Sequence, residues 1–197
     1  MRKLLVATKN KGKFKELYGI LEDIPCEITT LDKAGIDFDI KETGKTFSEN
    51  AILKAKEYAK LSGLLTLADD SGLCVDYLCG LPGINSARYI KGTDKDRYEH
   101  LLKQLENVPI NKRTAVFVSI VALFDPKTKK TITKSGECRG SIAFEPKGAN
   151  GFGYDPIFIV DKVNKHFAEL SFKEKNQVSH RAKALRKIRR CLKNTFI

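Results

Sequence analysis

A short apolar run, Leu64-Leu65-Thr66-Leu67-Ala68, leads straight into two adjacent carboxylates, Asp69 and Asp70, followed by Ser71-Gly72. A continuous apolar run bounded by turn residues reads as a strand buried on both faces. The spacing predicts that this strand ends at Ala68, which puts the two acids where α/β proteins place their chemistry. Paired acids at such a place lose hydration unless something compensates them, and a divalent cation is the usual compensation. A polar turn with an Asx cap is the plain alternative.

The segments around this run support an α/β arrangement. Lys3–Thr8 reads as a strand, the polar loop Lys9-Asn10-Lys11-Gly12 follows, and Phe14, Leu17, Tyr18 and Leu21 then recur at helical spacing. Thr46-Phe47-Ser48-Glu49 predicts a capping box, with Thr46 as cap and Glu49 reaching back to it, and Gly63 predicts the stop of that helix. Gly80-Leu81-Pro82-Gly83 reads as a turn, and Tyr98, Leu101, Leu102 and Leu105 mark a further amphipathic helix. The residues from Ala115 to Phe124, the turn at Asp125-Pro126-Lys127-Thr128 and a strand over 130–135 predict a hairpin, so part of the sheet is expected to be antiparallel. Further short strands are expected at Ile142-Ala143-Phe144 and over 156–160. From Ser179 the chain predicts a basic helix with Ala182, Leu185, Ile188 and Leu192 inward.

Bulk properties narrow the class. With 197 residues, 42% hydrophobic and 30% charged, the chain suits one folded domain rather than a disordered segment. No apolar run approaches the roughly 20 residues of a membrane span, and the N-terminal run is too short for a signal peptide. Five cysteines, an odd number with no C-x-x-C pair, predict reduced thiols and argue against a zinc site. The net charge of +12 suits a polyanionic ligand, either a nucleotide or a nucleic acid.

Three further segments carry candidate chemistry. Thr8-Lys9-Asn10-Lys11-Gly12-Lys13 lacks the Walker pattern, yet it joins a strand to a helix N-terminus whose free amides favour anions. Gly148-Ala149-Asn150-Gly151-Phe152-Gly153-Tyr154-Asp155 combines glycines that allow close approach with two aromatic rings able to stack on a base and an acid able to accept from its edge. Ser179-His180-Arg181 sets a histidine and an arginine side by side at a helix start, whereas His100 and His166 read as surface or packing residues.

Taken in order, these segments resemble the inosine triphosphate pyrophosphatase family of house-cleaning nucleotide hydrolases. The resemblance is carried by Ala7-Thr8-x-Asn10-x-Gly12-Lys13, Glu42-Thr43-Gly44-x-Thr46-Phe47-x-Glu49-Asn50-Ala51 and Ala68-Asp69-Asp70-Ser71-Gly72-Leu73. It continues through Gly80-x-Pro82-Gly83-x-x-Ser86-Ala87-Arg88-Tyr89, Gly151-Phe152-Gly153-Tyr154-Asp155-Pro156-Ile157-Phe158 and Phe167-Ala168-Glu169-Leu170, up to Ser179-His180-Arg181.

The resemblance implies an α/β fold with a long mixed β-sheet, flanking helices, and two lobes around a central nucleotide-binding cleft, all in one domain over 1–197. It implies Mg²⁺-dependent hydrolysis of ITP, dITP and XTP to the monophosphate and pyrophosphate, which keeps these nucleotides out of DNA and RNA. It also implies a cytoplasmic homodimer. Thr8, Asn10, Lys11, Lys13 and Lys54 would hold the triphosphate, and Ser71 would contact the nucleotide. Asp70 would activate water and bind metal. Phe152, Gly153, Tyr154 and Asp155 would form the base pocket, with Lys175, His180 and Arg181 reading the base edge.

One departure bears on the metal. Many bacterial members carry two acids before Thr-Gly, and here Lys41 stands in place of the first. Either Glu42 reaches the metal or Asp69 and Asp70 hold it with more water. Two rival readings are a basic nucleic-acid-binding module built on the C-terminal helix, and a Maf-like pyrophosphatase acting on other modified nucleotides. The first leaves the paired acids unexplained, and the Phe-Gly-Tyr-Asp and Ser-His-Arg segments argue against the second.

Overall fold

A computed structural model describes residues 2–196, with side chains through 193. The chain runs β1 (Lys3–Val6), α1 (Lys11–Leu21), β2 (Glu27–Thr30), α2 (Phe47–Ser62), β3 (Leu65–Val75), α3 (Asp94–Gln104), β4 (Thr114–Phe124) and β5 (Thr131–Ile142). It closes with β6 (Phe158–Val160), β7 (Lys165–His166), α4 (Phe172–Val178) and α5 (His180–Phe196). The strands form one seven-stranded sheet in the order β2-β1-β3-β4-β5-β6-β7. β1 pairs parallel with β2 and β3, whereas β6 pairs antiparallel with β5 and β7, so the sheet is mixed as the sequence predicts.

The chain divides into two compact units. The first holds the chain up to Asp70, Ser119–Gly136 and the segment from Arg181 onward; the second holds Ser71–Val118 and Glu137–His180. The sheet of the first unit is covered on both faces, and strand parity sorts its side chains. Leu4, Val6, Leu67, Val121 and Leu123 join Leu17 and Leu21 of α1 and Leu185, Ile188 and Leu192 of α5. Leu5, Ala7, Ala68, Ala122 and Phe124 join Ala51, Ala55, Tyr58 and Ala59 of α2. The second unit has its own core around Phe117, whose ring lies 4.7 Å from that of Phe158 and 5.7 Å from that of Phe167. There Arg113, fully buried, donates to the carbonyls of Leu105, Ile142 and Ala143 at 2.7–2.8 Å, which satisfies a loop that would otherwise bury bare acceptors.

Several local expectations change. β3 does not end at Ala68 but runs through both aspartates to Val75. Aspartate disfavours strands on its own, and the ladder survives here because each acid meets a cation on its own face of the sheet. Glu49 does not reach back to Thr46. Thr46 Oγ1 accepts the Glu49 N–H at 3.1 Å as a cap should, but the Glu49 carboxylate accepts the Lys45 N–H at 2.6 Å, one residue earlier. Ile142 is the last residue of β5 rather than the start of a separate strand, and the expected strand over 156–160 is shortened to Phe158–Val160 by a 3-10 turn at Asp155–Ile157.

The helix stops as expected at Gly63, which takes φ +69° and donates its N–H to Ala59 O at 2.9 Å. A Cβ there would meet open space, so Gly63→Ala is expected to cost only the left-handed backbone strain, about 1 kcal/mol. Urea denaturation measures it, and a neutral result would contradict the cap assignment. On α5, Ala182, Leu185, Ile188 and Leu192 are buried as predicted, while Arg189 and Lys193 pair outward with Asp23. Among the described residues no helix is long and apolar enough to cross a membrane.

Candidate active site

Because β3 continues through them, Asp69 and Asp70 point to opposite faces of the sheet. Asp69 falls on the α1/α5 face with Leu67, and Asp70 on the α2 face with Ala68. The two carboxylates therefore have different neighbours and different chemistry.

Asp69 is enclosed. Its Oδ2 accepts from Arg181 Nε at 3.2 Å and from Ser119 Oγ at 3.2 Å, and its Oδ1 lies 2.9 Å from Lys13 Nζ. Arg181 also pairs with Glu16 of α1, and Asp69, Arg181 and Glu16 are all almost wholly buried. Burial alone would raise the Asp69 pKa, but Arg181, Lys13 and Lys54 together hold it far below the ordinary carboxylate range. For Lys13 burial is the largest influence, and its pKa is lowered despite the attraction of Asp69. This is a buried four-residue ion network with an acid of depressed pKa at its centre.

Asp70 sits differently. Its Oδ1 lies 3.3 Å from Lys54 Nζ, and the same ammonium lies 2.6 Å from Glu42 Oε1. Burial raises the Asp70 pKa, Lys54 opposes this, and Glu42 adds to the rise. Lys54 is the converse: burial lowers its pKa, but Asp70 and Glu42 outweigh that and the net direction is up. Glu42 is delivered by a loop bound to α2, where the Gly44 N–H donates to the buried Asn50 Oδ1 at 2.8 Å. A Cβ on Gly44 would come within 2.6 Å of that oxygen, so the approach requires glycine. Among the described residues, Asp70 Oδ2 is a buried acceptor without a hydrogen-bond partner.

That geometry answers which acids suit a divalent ion. No three His, Cys, Asp or Glu side chains among the described residues come together as a metal cage. Mg²⁺ does not require one, because it is commonly held by one or two carboxylates with waters and substrate phosphates. Asp70, with its unsatisfied Oδ2, and Glu42 fit that donor set. Asp69, expected beside them as a ligand, does not: it faces away from Asp70 and its oxygens are taken by Arg181, Lys13 and Ser119.

At the N-terminus of α1, Asn10 Oδ1 caps the helix by accepting the Lys13 N–H at 2.9 Å, and Thr8 Oγ1 accepts the Asn10 N–H at 3.2 Å. Thr8 and Lys11 line a cavity of about 410 Å³ together with Lys9, Phe14, Thr30 and Asp32. Of the residues expected to hold phosphate, Thr8, Asn10 and Lys11 thus lie at the helix start, while Lys13 and Lys54 are drawn inward by the two aspartates.

In the second unit Lys175, buried at the end of α4, places Nζ 2.5 Å from Asp155 Oδ2 and 4.8 Å from the Phe152 ring centre. The Phe152 N–H donates to the same carboxylate oxygen at 2.9 Å. Lys175, expected to read the base edge, thus lies with Phe152 and Asp155, expected in the base pocket. Tyr154 does not join them as a stacking ring. It lies in the core and its hydroxyl donates to Ser86 O at 2.9 Å, and burial pushes its pKa well up. His180 is buried with its ring stacked on Phe117, 4.7 Å between centres and 8° between planes. Arg181, the next residue, belongs to the first unit, where Asp69 and Glu16 hold it. Successive residues at a helix start project about 100° apart, so adjacency in sequence did not put these two in one place. Ser71 is half-buried on β3 at the first position of the second unit.

Sequence reasoning passed over Glu16 and Ser119, and quoted Ser86 only within a motif, without a role. Only Glu16 left a signal: an acid on the inner side of an amphipathic helix, next to Leu17 and three residues after Lys13.

A mixed, helix-covered sheet that carries one acid locked in an ion network and a second acid beside a lysine, with an anion-favouring helix start, defines an α/β protein built to act on a phosphorylated substrate. The chain belongs to the Ham1 family, whose model matches residues 4–191. It is 45% identical to the dITP/XTP pyrophosphatase of Bacillus subtilis over 195 residues, 98% of each chain. It is 46% identical to that of Geobacter sulfurreducens over 187 residues, 94% of each. Among solved structures, a HAM1 protein from Coxiella burnetii superposes with TM-score 0.89 at 39% identity, over 98% of this chain and all of that one.

Proposed function

We propose that this chain hydrolyses deaminated purine nucleoside triphosphates, ITP, dITP and XTP, between the α and β phosphates, releasing the monophosphate and pyrophosphate. The observation that carries the reading is the Asp70–Lys54–Glu42 group, a buried acid of raised basicity held beside a lysine, in a chain this similar to dITP/XTP pyrophosphatases. Residues 1–197 would act as one catalytic domain, in a cytoplasmic homodimer.

Asp70 accepts the proton of the attacking water, a task suited to a carboxylate whose buried Oδ2 has no hydrogen-bond partner among the described residues. Lys54 stays protonated beside it and balances charge that grows on the phosphate oxygens. Thr8, Asn10 and Lys11, with the amides at the start of α1, take the remaining phosphate charge. Asp70 and Glu42 would hold Mg²⁺, which when bound neutralises charge on the phosphoryl oxygens. At the base, Phe152 offers a stacking face and Lys175 and His180 offer hydrogen-bond donors. A 6-oxo group accepts from such donors, whereas the amino group of adenine would leave them unpaired.

Pyrophosphate release from ITP, XTP, dITP, ATP and GTP, with and without Mg²⁺, tests the proposal. Strong Mg²⁺-dependent release from the first three and little from ATP and GTP is the expected result. Equal turnover of all five would remove the base-reading roles, and no release from any would overturn the activity.

A further inference from the structure

We propose that Asp94 is a positioning residue for base recognition: it ties the Gly153 amide to the start of α3 and so fixes the loop that presents Phe152 and Asp155. The inference rests on the assignment of that loop to the base.

The observation is a carboxylate whose helix has no need of it. α3 already carries a complete capping box, with Thr93 Oγ1 accepting the Asp96 N–H at 3.2 Å and Asp96 Oδ2 accepting the Thr93 N–H at 2.7 Å. Asp94 spends its oxygens elsewhere. Oδ2 accepts the Gly153 N–H at 2.7 Å across 59 positions of sequence, and Oδ1 accepts from Arg97 Nη2 at 2.6 Å. Arg97 is itself fixed by donating through Nη1 to Gly92 O at 2.7 Å. The acceptor offered to Gly153 is therefore charged and pre-oriented, and bonds of that kind are the stronger ones.

The loop it holds is otherwise anchored on either side of Gly153. Tyr154 reaches Ser86 O through its hydroxyl, and Asp155 binds the Phe152 N–H and Lys175. Gly153 has φ +63°, a left-handed conformation that turns its amide toward Asp94. The Asp94 side chain is 47% exposed, so replacing it leaves no cavity in the core. What changes is the freedom of Phe152, one residue from the tether, to move relative to the Lys175 ammonium that lies over its ring.

Asp94→Ala and Asp94→Asn are compared with the unaltered protein for kcat and KM on dITP and dATP, alongside their thermal midpoints. Asparagine keeps an oxygen that can accept the Gly153 N–H, and alanine does not. The expected result is that Asp94→Ala raises KM for dITP about tenfold and narrows discrimination against dATP, with kcat nearly unchanged. Asp94→Asn is expected to recover most of the loss.

Unchanged KM and discrimination in Asp94→Ala would overturn the inference. So would an asparagine variant as impaired as alanine, or a loss of kcat that follows a lowered thermal midpoint at constant KM. Lys175→Ala in the same assay separates the two levels. If it loses discrimination while Asp94→Ala does not, the positioning role alone falls; if neither does, the base-loop assignment falls with it.

Discussion

Asp70→Asn is expected to lower kcat by about a hundred- to ten-thousandfold, the usual worth of a positioned general base, while the protein stays folded. Two features of the site make the effect one-sided. The pKa of Asp70 is raised, chiefly by burial, so the native structure disfavours its ionised form, and removing the charge does not cost stability. Lys54 keeps Glu42 at 2.6 Å and is not left as an uncompensated buried cation. Asparagine has nearly the same shape but cannot accept the proton of an attacking water. Pyrophosphate release with dITP and a urea denaturation curve on the same sample read both halves. Retained turnover would remove Asp70 from the mechanism, and an unfolded variant would mean that the acid is chiefly structural.

The second large effect belongs to stability. Arg181→Met is expected to destabilise the protein by about 3–5 kcal/mol, because it leaves Asp69 and Glu16 buried without their shared cation. Against a total of roughly 5–15 kcal/mol for a typical domain, that loss is large. The triple variant Arg181→Met with Glu16→Gln and Asp69→Asn is expected to regain part of it, since the two buried carboxylates are then uncharged and only Lys13 loses its partner. A single-variant loss below about 1 kcal/mol would show the network to be weak.

The same network sets an acid limit. Burial opposes ionisation of Asp69, but Arg181 and Lys13 depress its pKa below the ordinary 3.8. The stabilisation it provides is therefore present above pH 3.8 and lost progressively as pH falls below that value toward the depressed folded pKa. Denaturation midpoints measured between pH 6 and pH 2 are expected to fall steeply only in the lower part of that range, and less steeply in the Asp69→Asn variant.

The elements that repeat a pattern along the chain were readable in advance. β1, α1, α2 and its glycine stop, α3, β4 and the inner face of α5 all carry a period of two or 3.6 that local sterics and burial impose on neighbouring residues. Some residues that the ordered motifs singled out lie together in the structure: Asp70 with Glu42 around Lys54, which was expected among the phosphate holders, and Lys175 with Phe152 and Asp155.

The misreadings share one physical origin. Asp-Asp-Ser-Gly looks like the end of a strand because two acids and a glycine disfavour one locally. Nothing near them in sequence reveals that Arg181, 112 positions away from Asp69, and Lys54, 16 positions before Asp70, neutralise them on opposite faces. Tyr154 and Phe152 are both aromatic and flank the same glycine, yet one enters the core and the other lies beside Lys175. His180 and Arg181 are adjacent, yet one stacks on Phe117 and the other joins Asp69 and Glu16.

By itself, then, the sequence determined the strongly periodic elements and the mixed α/β class, and singled out the paired acids, because those depend on short-range periodicity and on residue type. Which of the two adjacent acids is enclosed in an ion network that depresses its pKa, and which lies beside Lys54 with a pKa raised by burial, was decided only by tertiary structure. Strand parity sends the two side chains to different faces, and a carboxylate's basicity is set by the charges and the burial it meets there.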